Sequence, residues 1–450
     1  MLKMEIHLEL SVPSSGLGVN QVIPLFKQIQ ERIGPALAKC YFEEIQDQIL
    51  DQVLGPKWAD EPQGEAPWTC SECGSHQGFN RRGSYPRVLR KSSLGRVPFD
   101  LRQVTCQRCD HTFSPFLDEF DLEPYQVSTT EFQAQAVEVA CQTSYARTVE
   151  HIRNLAHVRV SATAVHQWAQ DRGADVTFDV AQADGKPVIL DSTKVYAGDK
   201  ERGCELNLGL SIQKRYWTNG RPRLAVSPVC FGIDESWSKT GQPLQQAKPS
   251  RVVFDGDEAI AGWVERALLD TYKQRGVWHL VRQLYWPLWR DGLGKSQAEP
   301  WMKQLGKIMY HPNQDVQDTR AELKELIRQL SEKGLHQGAA YLAAATPYAF
   351  TYREHPDGMF FDDRRLEPLA ISSTSPAERQ MREINRRTDV GVRWSVAGVK
   401  NLISLDLVRR FDHEQWQTLW QLPDRAVPDY SVVKLQVRAN AEPMPNVKTS

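Results

Sequence analysis

The sequence has no apolar run that approaches the roughly 18 to 20 residues a membrane-spanning helix needs, although 41% of its 450 residues are hydrophobic. Residues 1–9 lack the pattern of a signal peptide. These two absences predict a cytoplasmic protein without a membrane partner. The length exceeds what one hydrophobic core usually supports, so we expect two or more domains.

The chain also has little net charge and few cysteines. A net charge of −1 excludes an indiscriminate polyanion binder and leaves local basic patches as the electrostatic route to nucleic acid. Only four of the eight cysteines are grouped, which argues against a disulfide framework and for one structural metal in a reducing compartment. The single cysteines are Cys40, Cys141, Cys204 and Cys230.

Two Cys-x-x-Cys knuckles carry the grouped cysteines. A two-residue gap lets one tight turn deliver two thiolates, and zinc prefers four such ligands. The 32 intervening residues can form a long hairpin, so residues 65–118 are predicted to be a zinc ribbon. The four predicted zinc ligands are Cys70, Cys73, Cys106 and Cys109.

The segment between the knuckles is strongly basic, with seven cations against one acid, Asp100. Such a patch suits contact with DNA phosphates, and the alternative is a solvated hairpin. The basic side chains are Arg81, Arg82, Arg87, Arg90, Lys91, Arg96 and Arg102.

The first 60 residues form a strand-helix segment without catalytic features. Apolar and polar residues alternate over 4–12, as in a half-buried strand, and an apolar stripe at helical spacing then runs up to Gly55-Pro56. An acidic linker rich in Pro and Gly, residues 60–67, leads into the ribbon.

Three helices are predicted over residues 125–178, which form a helix-turn-helix unit. Ser128 with Glu131 suggests a capping box for the first helix, and Ser161 an N-cap for the third. Trp168 faces inward in the third helix, leaving a polar face whose side chains can hydrogen-bond base edges. The alternative is a plain packing unit. The predicted base-reading residues are Thr163, His166, Gln167 and Gln170.

From residue 185 the pattern changes to strands. Asn219-Gly220 separates two long strand-like runs and is a strong hairpin signal. Asp191 ends the first apolar run and Asp255 follows the fourth strand. Three antiparallel strands followed by a strand and a helix are the order of an RNase-H-like core, which places these two aspartates side by side.

Phosphodiester hydrolysis with two magnesium ions requires hard oxygen ligands, which carboxylates provide. Burial of an aspartate at the end of an apolar run costs free energy unless a cation pairs with it, so we expect a metal at Asp191. Capping of the following turn is the alternative role for Asp191. A simple Asp-Gly turn is the alternative for Asp255, with Asp257 as its competitor.

These motifs resemble those of Mutator-like bacterial insertion-sequence transposases over residues 186–410. The resemblance rests on Leu190-Asp191-Ser192-Thr193, on Asp255-Gly256-Asp257 with the later Trp278-His279-Leu280, and on residues 373–388 around Glu378. The Cys-x-x-His often found in the family is Gly276-Val277-Trp278-His279 here, so we expect a core histidine.

The resemblance implies a DDE transposase with an RNase-H-like mixed sheet in residues 185–412, interrupted by a helical insertion at about 285–365. Asp191, Asp255 and Glu378 would hold Mg2+ or Mn2+, with water and then a freed 3′-hydroxyl as nucleophiles. Glu383 is the alternative third carboxylate. The alternative role of Glu378 is a capping box at the start of its helix, without catalysis. Residues 413–450 are expected to be a C-terminal tail.

The implied partner is double-stranded DNA, both transposon ends and target, bound by a homodimer or larger assembly close to the nucleoid. Three arginines lie on one side of the helix that carries Glu378. They suit contact with the DNA backbone or, alternatively, form a solvated charged face. These arginines are Arg379, Arg382 and Arg386. The rival functions are an RNase-H-like nuclease or resolvase, and a catalytically dead DNA-binding regulator derived from a transposase.

Overall fold

A computed structural model describes residues 19–55, 66–311, 314–362, 365–369, 371–389 and 393–422. The strand predicted over residues 4–12, most of the linker, and the tail beyond residue 422 lie outside these described residues. Within them, no helix combines the length and hydropathy needed to cross a bilayer. The architecture is a mixed α/β fold with a central five-stranded mixed sheet and several helical layers.

A long helix and a small sheet form the amino-terminal unit. Helix α1 (Val19–Leu54) ends at Gly55, whose φ of 75° gives the helix the left-handed stop that glycine favours. It packs on a three-stranded antiparallel sheet through the buried side chains of Leu50 and Leu54. The strands are β1 (Phe79–Leu89), β2 (Val97–Cys106) and β3 (Thr112–Phe113), followed by the short helix α2 (Phe116–Glu119).

Three helices follow at the predicted positions. The N-cap of the first is Thr129 rather than Ser128, since the Thr129 side chain accepts the backbone N–H of Phe132. Ser161 caps the third helix, as predicted. The helices are α3 (Thr130–Gln142), α4 (Tyr145–Ala156) and α5 (Ala162–Ala174).

The central sheet has its first strand in the middle, in the order β6-β5-β4-β7-β8. The first three strands pair antiparallel, while β7 and β8 run parallel to β4. Asn219 and Gly220 both have positive φ and form the two-residue turn between β5 and β6. The strands are β4 (Pro187–Val195), β5 (Cys204–Thr218), β6 (Arg221–Ile233), β7 (Arg251–Phe254) and β8 (Tyr272–Arg275).

Short helices connect the strands and cover one face of the sheet. They are α6 (Trp237–Thr240), α7 (Leu244–Ala247) and α8 (Glu258–Ala267). Their apolar side chains, including Trp237 and Trp263, pack against Val188 and Leu190 of β4. The apolar residues of β4 are therefore enclosed, and Asp191 lies directly after this buried run.

A helical insertion follows β8 and has its own hydrophobic core, formed by residues such as Leu288, Leu326 and Phe350. It begins at residue 277, eight residues before the predicted boundary, and ends in a hairpin that the sequence does not predict. Its elements are α9 (Val277–Gln283), α10 (Tyr285–Arg290), α11 (Lys295–Met309), α12 (Val316–Glu332), α13 (His336–Ala345), α14 (Thr351–Glu354), β9 (Asp357–Asp362) and β10 (Arg365–Leu369).

Three final helices join the sheet to the amino-terminal helices. Helix α15 (Ser375–Thr388) packs on β4, and α16 (Val396–Phe411) packs on α5. Helix α17 (His413–Leu419) occupies the start of the predicted tail, where Trp416 is buried. Side chains of α3, α5, α16 and α17 share one apolar core, so the three-helix unit is fused to the sheet.

Candidate metal centres and nucleic-acid surfaces

Asp191 and Asp255 lie next to each other where the parallel pairing of β4 with β7 ends, although β4 itself continues past Asp191 to Val195. Leu190 of β4 pairs with Phe254 of β7 in parallel register, and each aspartate is the next residue along its strand direction. Neighbouring strands are about 4.8 Å apart. The two carboxylates therefore emerge at adjacent positions, as the sequence predicts.

Asp191 is only 5% exposed, and burial raises the pKa of its carboxyl to about 8. The negative charges of Asp255 and Glu378 contribute to this rise, while the backbone N–H of Ser192, donating at 2.9 Å, opposes it. Asp255 and Glu378 thus lie close enough to Asp191 to disfavour its ionised form. An ionised Asp191 needs a cation in this environment.

Glu378 lies in the first turn of α15 and is held by two neighbours. Its Oε1 lies 2.8 Å from Nε2 of His279 and accepts a hydrogen bond from Oγ1 of Thr374 at 3.1 Å. His279 belongs to α9, which begins directly after β8. The expectation of a core histidine is therefore wrong, because its ring forms an ion pair with the third carboxylate when protonated.

The carboxylates are spread more widely than a single-ion cluster. Among the described residues, only the four cysteines bring three or more donor atoms within 4.8 Å of one another. Two-metal sites for phosphodiester chemistry use hard oxygen donors of this type to hold cations about 4 Å apart. Burial and the charges of Asp257 and Asp255 also raise the pKa of the nearby Glu205. The donors in this region are therefore mainly carboxylates, with one histidine, and such donors suit magnesium or manganese.

The competing carboxylates have other partners. Asp257 caps α8, where its Oδ1 accepts the backbone N–H groups of Ala259 and Ile260. Glu383 forms an exposed ion pair with Arg386 at 2.8 Å. Neither Asp257 nor Glu383 acts on the pKa of Asp191. This favours Asp255 and Glu378 as the candidate partners of Asp191 in metal binding.

A buried arginine lies against the Asp255 loop. Arg275, the last residue of β8, is buried and donates to Oε1 of Gln283 at 2.9 Å and to the Tyr341 hydroxyl at 3.2 Å. A Cβ on Gly256 would overlap Nη1 of Arg275, and Gly256 has a φ of +84°. Glycine is therefore required after Asp255. The sequence carries no signal for Arg275, because β8 is polar and resembles a loop.

The four cysteines of the two knuckles converge at one end of the ribbon hairpin. The Sγ atoms of Cys70 and Cys109 lie 3.6 Å apart, as do those of Cys73 and Cys106. A zinc ion with Zn–S bonds of about 2.3 Å separates its tetrahedral sulfurs by roughly 3.8 Å. The cluster therefore has the dimensions of a structural zinc site.

Backbone N–H groups prepare one of the thiols for a metal. Burial alone raises the pKa of Cys70, but hydrogen bonds from the backbone of Cys73 and Glu72 bring it down to about 7. Zinc binds thiolates, so a lowered thiol pKa favours the bound form. The turn geometry of the first knuckle supplies both donors.

Several predicted DNA-contacting residues of the ribbon are engaged within the protein. Arg81 pairs with Asp51 at 2.5 Å and Arg102 with Asp47 at 2.8 Å, both on α1. Arg87 donates to two carbonyl oxygens of the 123–126 loop, and Lys91 lies over the Trp168 ring. These four residues hold the ribbon to its neighbours. The exposed cations of the hairpin are Arg82, Arg90 and Arg96.

The predicted base-reading face of α5 is partly covered. Gln170 donates to the carbonyl of Gly398 at 3.2 Å and accepts from Asn401 at 3.1 Å, both on α16, so its predicted role is wrong for this packing. His166 lies edge-on to Tyr145, and Gln167 donates to Asp171. Thr163 is exposed near the start of the helix.

The three predicted arginines of α15, Arg379, Arg382 and Arg386, are exposed on one side of the helix. Between them and the sheet, Arg387 is buried instead, and its Nε donates to the carbonyl of Ala140 on α3. The basic face of α15 is thus distinct from the buried arginine that ties the helix to the three-helix unit.

Comparison with known proteins adds a distant likeness. No protein-family model and no curated protein matches the chain. Among solved structures, a chain of the Drosophila P element transposase strand transfer complex is 12% identical, with a TM-score of 0.25, covering 67% of this chain and 84% of that one. At this identity and TM-score the likeness assigns neither a family nor a function.

Proposed function

We propose that the protein is a DDE transposase that cleaves and joins DNA strands in a magnesium-dependent reaction. The observation that carries this proposal is that Asp191 and Asp255 directly follow the paired residues Leu190 and Phe254 of two adjacent parallel strands, with Glu378 close enough to act on the buried Asp191 carboxyl. Adjacent carboxylates in a partly buried site are the ligand set that phosphodiester chemistry with two divalent ions requires.

The sheet order supports an RNase-H-like core. The first strand lies in the middle, two antiparallel strands extend the sheet on one side, and two parallel strands extend it on the other. Open sheets often bind ligands beside the carboxyl ends of parallel strands, and Asp191 and Asp255 lie where the parallel pairing of β4 and β7 ends. The long helical segment before Glu378 is compatible with the helical insertion that the resemblance to Mutator-like transposases implies.

Each residue has a distinct task in the proposed reaction. Asp191, Asp255 and Glu378 would hold the divalent ions, which supply activation of a water or 3′-hydroxyl nucleophile and stabilisation of the leaving oxygen. His279 orients Glu378 and fixes the carboxylate that faces the site. Arg275 holds the Asp255 loop against the helical insertion through Gln283 and Tyr341.

The direct test is cleavage of a DNA duplex bearing the inverted repeats of the encoding element, with magnesium present. Asp191→Asn and Glu378→Gln are each expected to lower the rate more than about a hundredfold. His279→Ala should lower it about 10- to 100-fold, as for residues that orient a metal ligand. Glu383→Gln is the matched control, because Glu383 forms an exposed ion pair with Arg386 and its removal should leave the rate unchanged.

The pattern of products separates the proposal from its rivals. Strand transfer of cleaved ends to a second duplex supports a transposase, whereas cleavage without transfer favours an RNase-H-like nuclease or resolvase. Specific end binding without metal-dependent nicking by the unmutated protein would favour a DNA-binding regulator. Cleavage that survives Asp191→Asn would contradict the assigned site.

A further inference from the structure

The β5–β6 hairpin continues beyond the central sheet. Strand β5 pairs with β4 only up to Ser211, but its pairing with β6 extends to Thr218 and Arg221. The register shifts between Ile212 and Lys214, as at a β-bulge, and a bulge bends and twists a hairpin. We call residues 214–225 the β-arm.

The β-arm is basic and aromatic. It contains four cations and no acid, and Tyr216 and Trp217 are 41% and 51% exposed. Trp217 lies under the guanidinium of Arg215 at 5.4 Å. Large exposed aromatic side chains next to cations are unusual on a solvated hairpin and typical of nucleic-acid surfaces.

Three of these cations share a face of the arm and are free to bind. Tyr216 pairs with Arg223 and Thr218 with Arg221, and cross-strand partners lie on the same face. Lys214 is two residues from Tyr216 and therefore joins them. Lys214, Arg221 and Arg223 are exposed, and none forms a salt bridge with a residue that the structure describes.

A groove separates the β-arm from the helix that carries Glu378. Its volume is about 450 Å³, and Tyr216 and Arg223 line one wall. Ser373, Ser375 and Arg379 line the other, next to Glu378 in the chain. No acidic side chain lines it among the residues that the structure describes. Two arginines, hydroxyl groups and an apolar floor suit a sugar-phosphate backbone rather than a cationic partner.

We propose that the β-arm and the start of α15 form a second DNA-binding surface, which holds the backbone of double-stranded DNA beside Glu378. This inference rests on the proposed function, since it supplies the path by which a duplex reaches the carboxylates. It adds the arm's cations to the exposed arginines of α15 and assigns them to phosphate contact. The helical face of α5 is not needed for this contact.

The test is the salt dependence of DNA binding by the full chain, measured without divalent ions by fluorescence anisotropy on a duplex of random sequence. The triple variant Lys214→Ala, Arg221→Ala, Arg223→Ala should lower the slope of log K against log salt by about 0.9 per lost phosphate contact. The control is the triple variant Arg266→Ala, Lys324→Ala, Lys333→Ala, which removes the same charge from exposed positions outside the groove.

The outcomes distinguish failure of the proposed DNA-binding surface from failure of the proposed cleavage activity. A reduced slope for the arm variant alone, with an unchanged melting temperature, supports the inference. An equal slope for the arm and control variants overturns it, even if the wild-type protein cleaves DNA. Absence of cleavage by the wild-type protein, with the arm effect present, contradicts the transposase proposal and leaves the surface standing. Equal dependence on the arm for double-stranded RNA would overturn the assignment to DNA.

Discussion

At the scale of single residues, Asp191 destabilises the metal-free fold when it is ionised. Its pKa is about 8 in the folded protein against an ordinary value of 3.8, so the folded state holds a proton more tightly than the unfolded state. The resulting penalty is absent below about pH 4, grows between pH 4 and 8, and is complete above pH 8. Metal-free stability should therefore fall as pH rises through this window.

Asp191→Asn should remove this pH dependence. In a chelating buffer, we expect the variant to melt several degrees higher than the wild type at pH 8 and about equally at pH 4, measured by circular dichroism. Magnesium should raise the melting temperature of the wild type and not that of the variant. Glu383→Gln is the control and should keep the pH dependence of the wild type. A wild-type melting temperature that rises from pH 5 to 8 without metal would contradict the assigned environment of Asp191.

Gly256 is the second residue whose role follows from one contact. Gly256→Ala introduces a Cβ into the space of the Arg275 guanidinium and strains a positive φ. Gly334 also has a positive φ, of +76°, but a Cβ added there would meet no atom within 4 Å. Gly334→Ala thus isolates the backbone cost, about 1–2 kcal/mol.

We expect Gly256→Ala to cost more unfolding free energy than Gly334→Ala and to lower cleavage as well. Adding Arg275→Ala should recover part of the stability, because the clash is removed. Chemical denaturation of the three variants measures this difference. Equal costs for the two glycine variants would show that Arg275 does not occupy the space beside Asp255.

At the scale of elements, the predictability of the fold depends on apolar patterning. Strand β4 is an apolar run and the β5–β6 turn carries Asn-Gly, so both are readable from the sequence. Strand β8 (Tyr272–Arg275) is polar, and its place at the sheet edge comes from parallel pairing with β7. Local periodicity cannot reveal such a strand.

Local patterning predicted the adjacency of the two aspartates, whereas Glu378 was predicted only through the family resemblance. Asp191 directly follows the apolar run of β4, Asp255 directly follows β7, and the parallel pairing of the two strands places them together. His279 contacts a carboxylate 99 residues away, and Gln170 contacts a helix more than 200 residues away. Such contacts depend on how the insertion and α16 fold back, which no local pattern encodes.

The zinc ribbon is an element whose stability should depend on metal. Its core is distinct from that of the central sheet, and a metal bound by the four converging thiols would stabilise this end of the hairpin in addition to its apolar packing. We expect one zinc per chain by mass spectrometry of the native protein and loss of this zinc in Cys106→Ser. Cys40→Ser, at an exposed position of α1, should retain it. A zinc-free native ribbon would contradict the assignment.

At the scale of the whole molecule, the candidate DNA surfaces and the carboxylates are joined by packing. Helix α15 carries Glu378, contacts β4 and is tied to α3 through Arg387. Helix α16 packs on α5 while contacting β6. Displacement of the three-helix unit by bound DNA would therefore change the position of Glu378. A binding domain on a flexible linker would not transmit such a displacement.

The measurement closest to the central claim is the binding of Mn2+ by the full chain, followed by electron paramagnetic resonance. Asp191→Asn, Asp255→Asn and Glu378→Gln should each weaken binding at least tenfold, because each removes a charged oxygen ligand. Asp257→Asn, which can still cap α8, and Glu383→Gln should bind as the wild type does. Unchanged Mn2+ binding by Glu378→Gln, or equal loss in Asp257→Asn and Asp255→Asn, would contradict convergence of the three carboxylates on the metal.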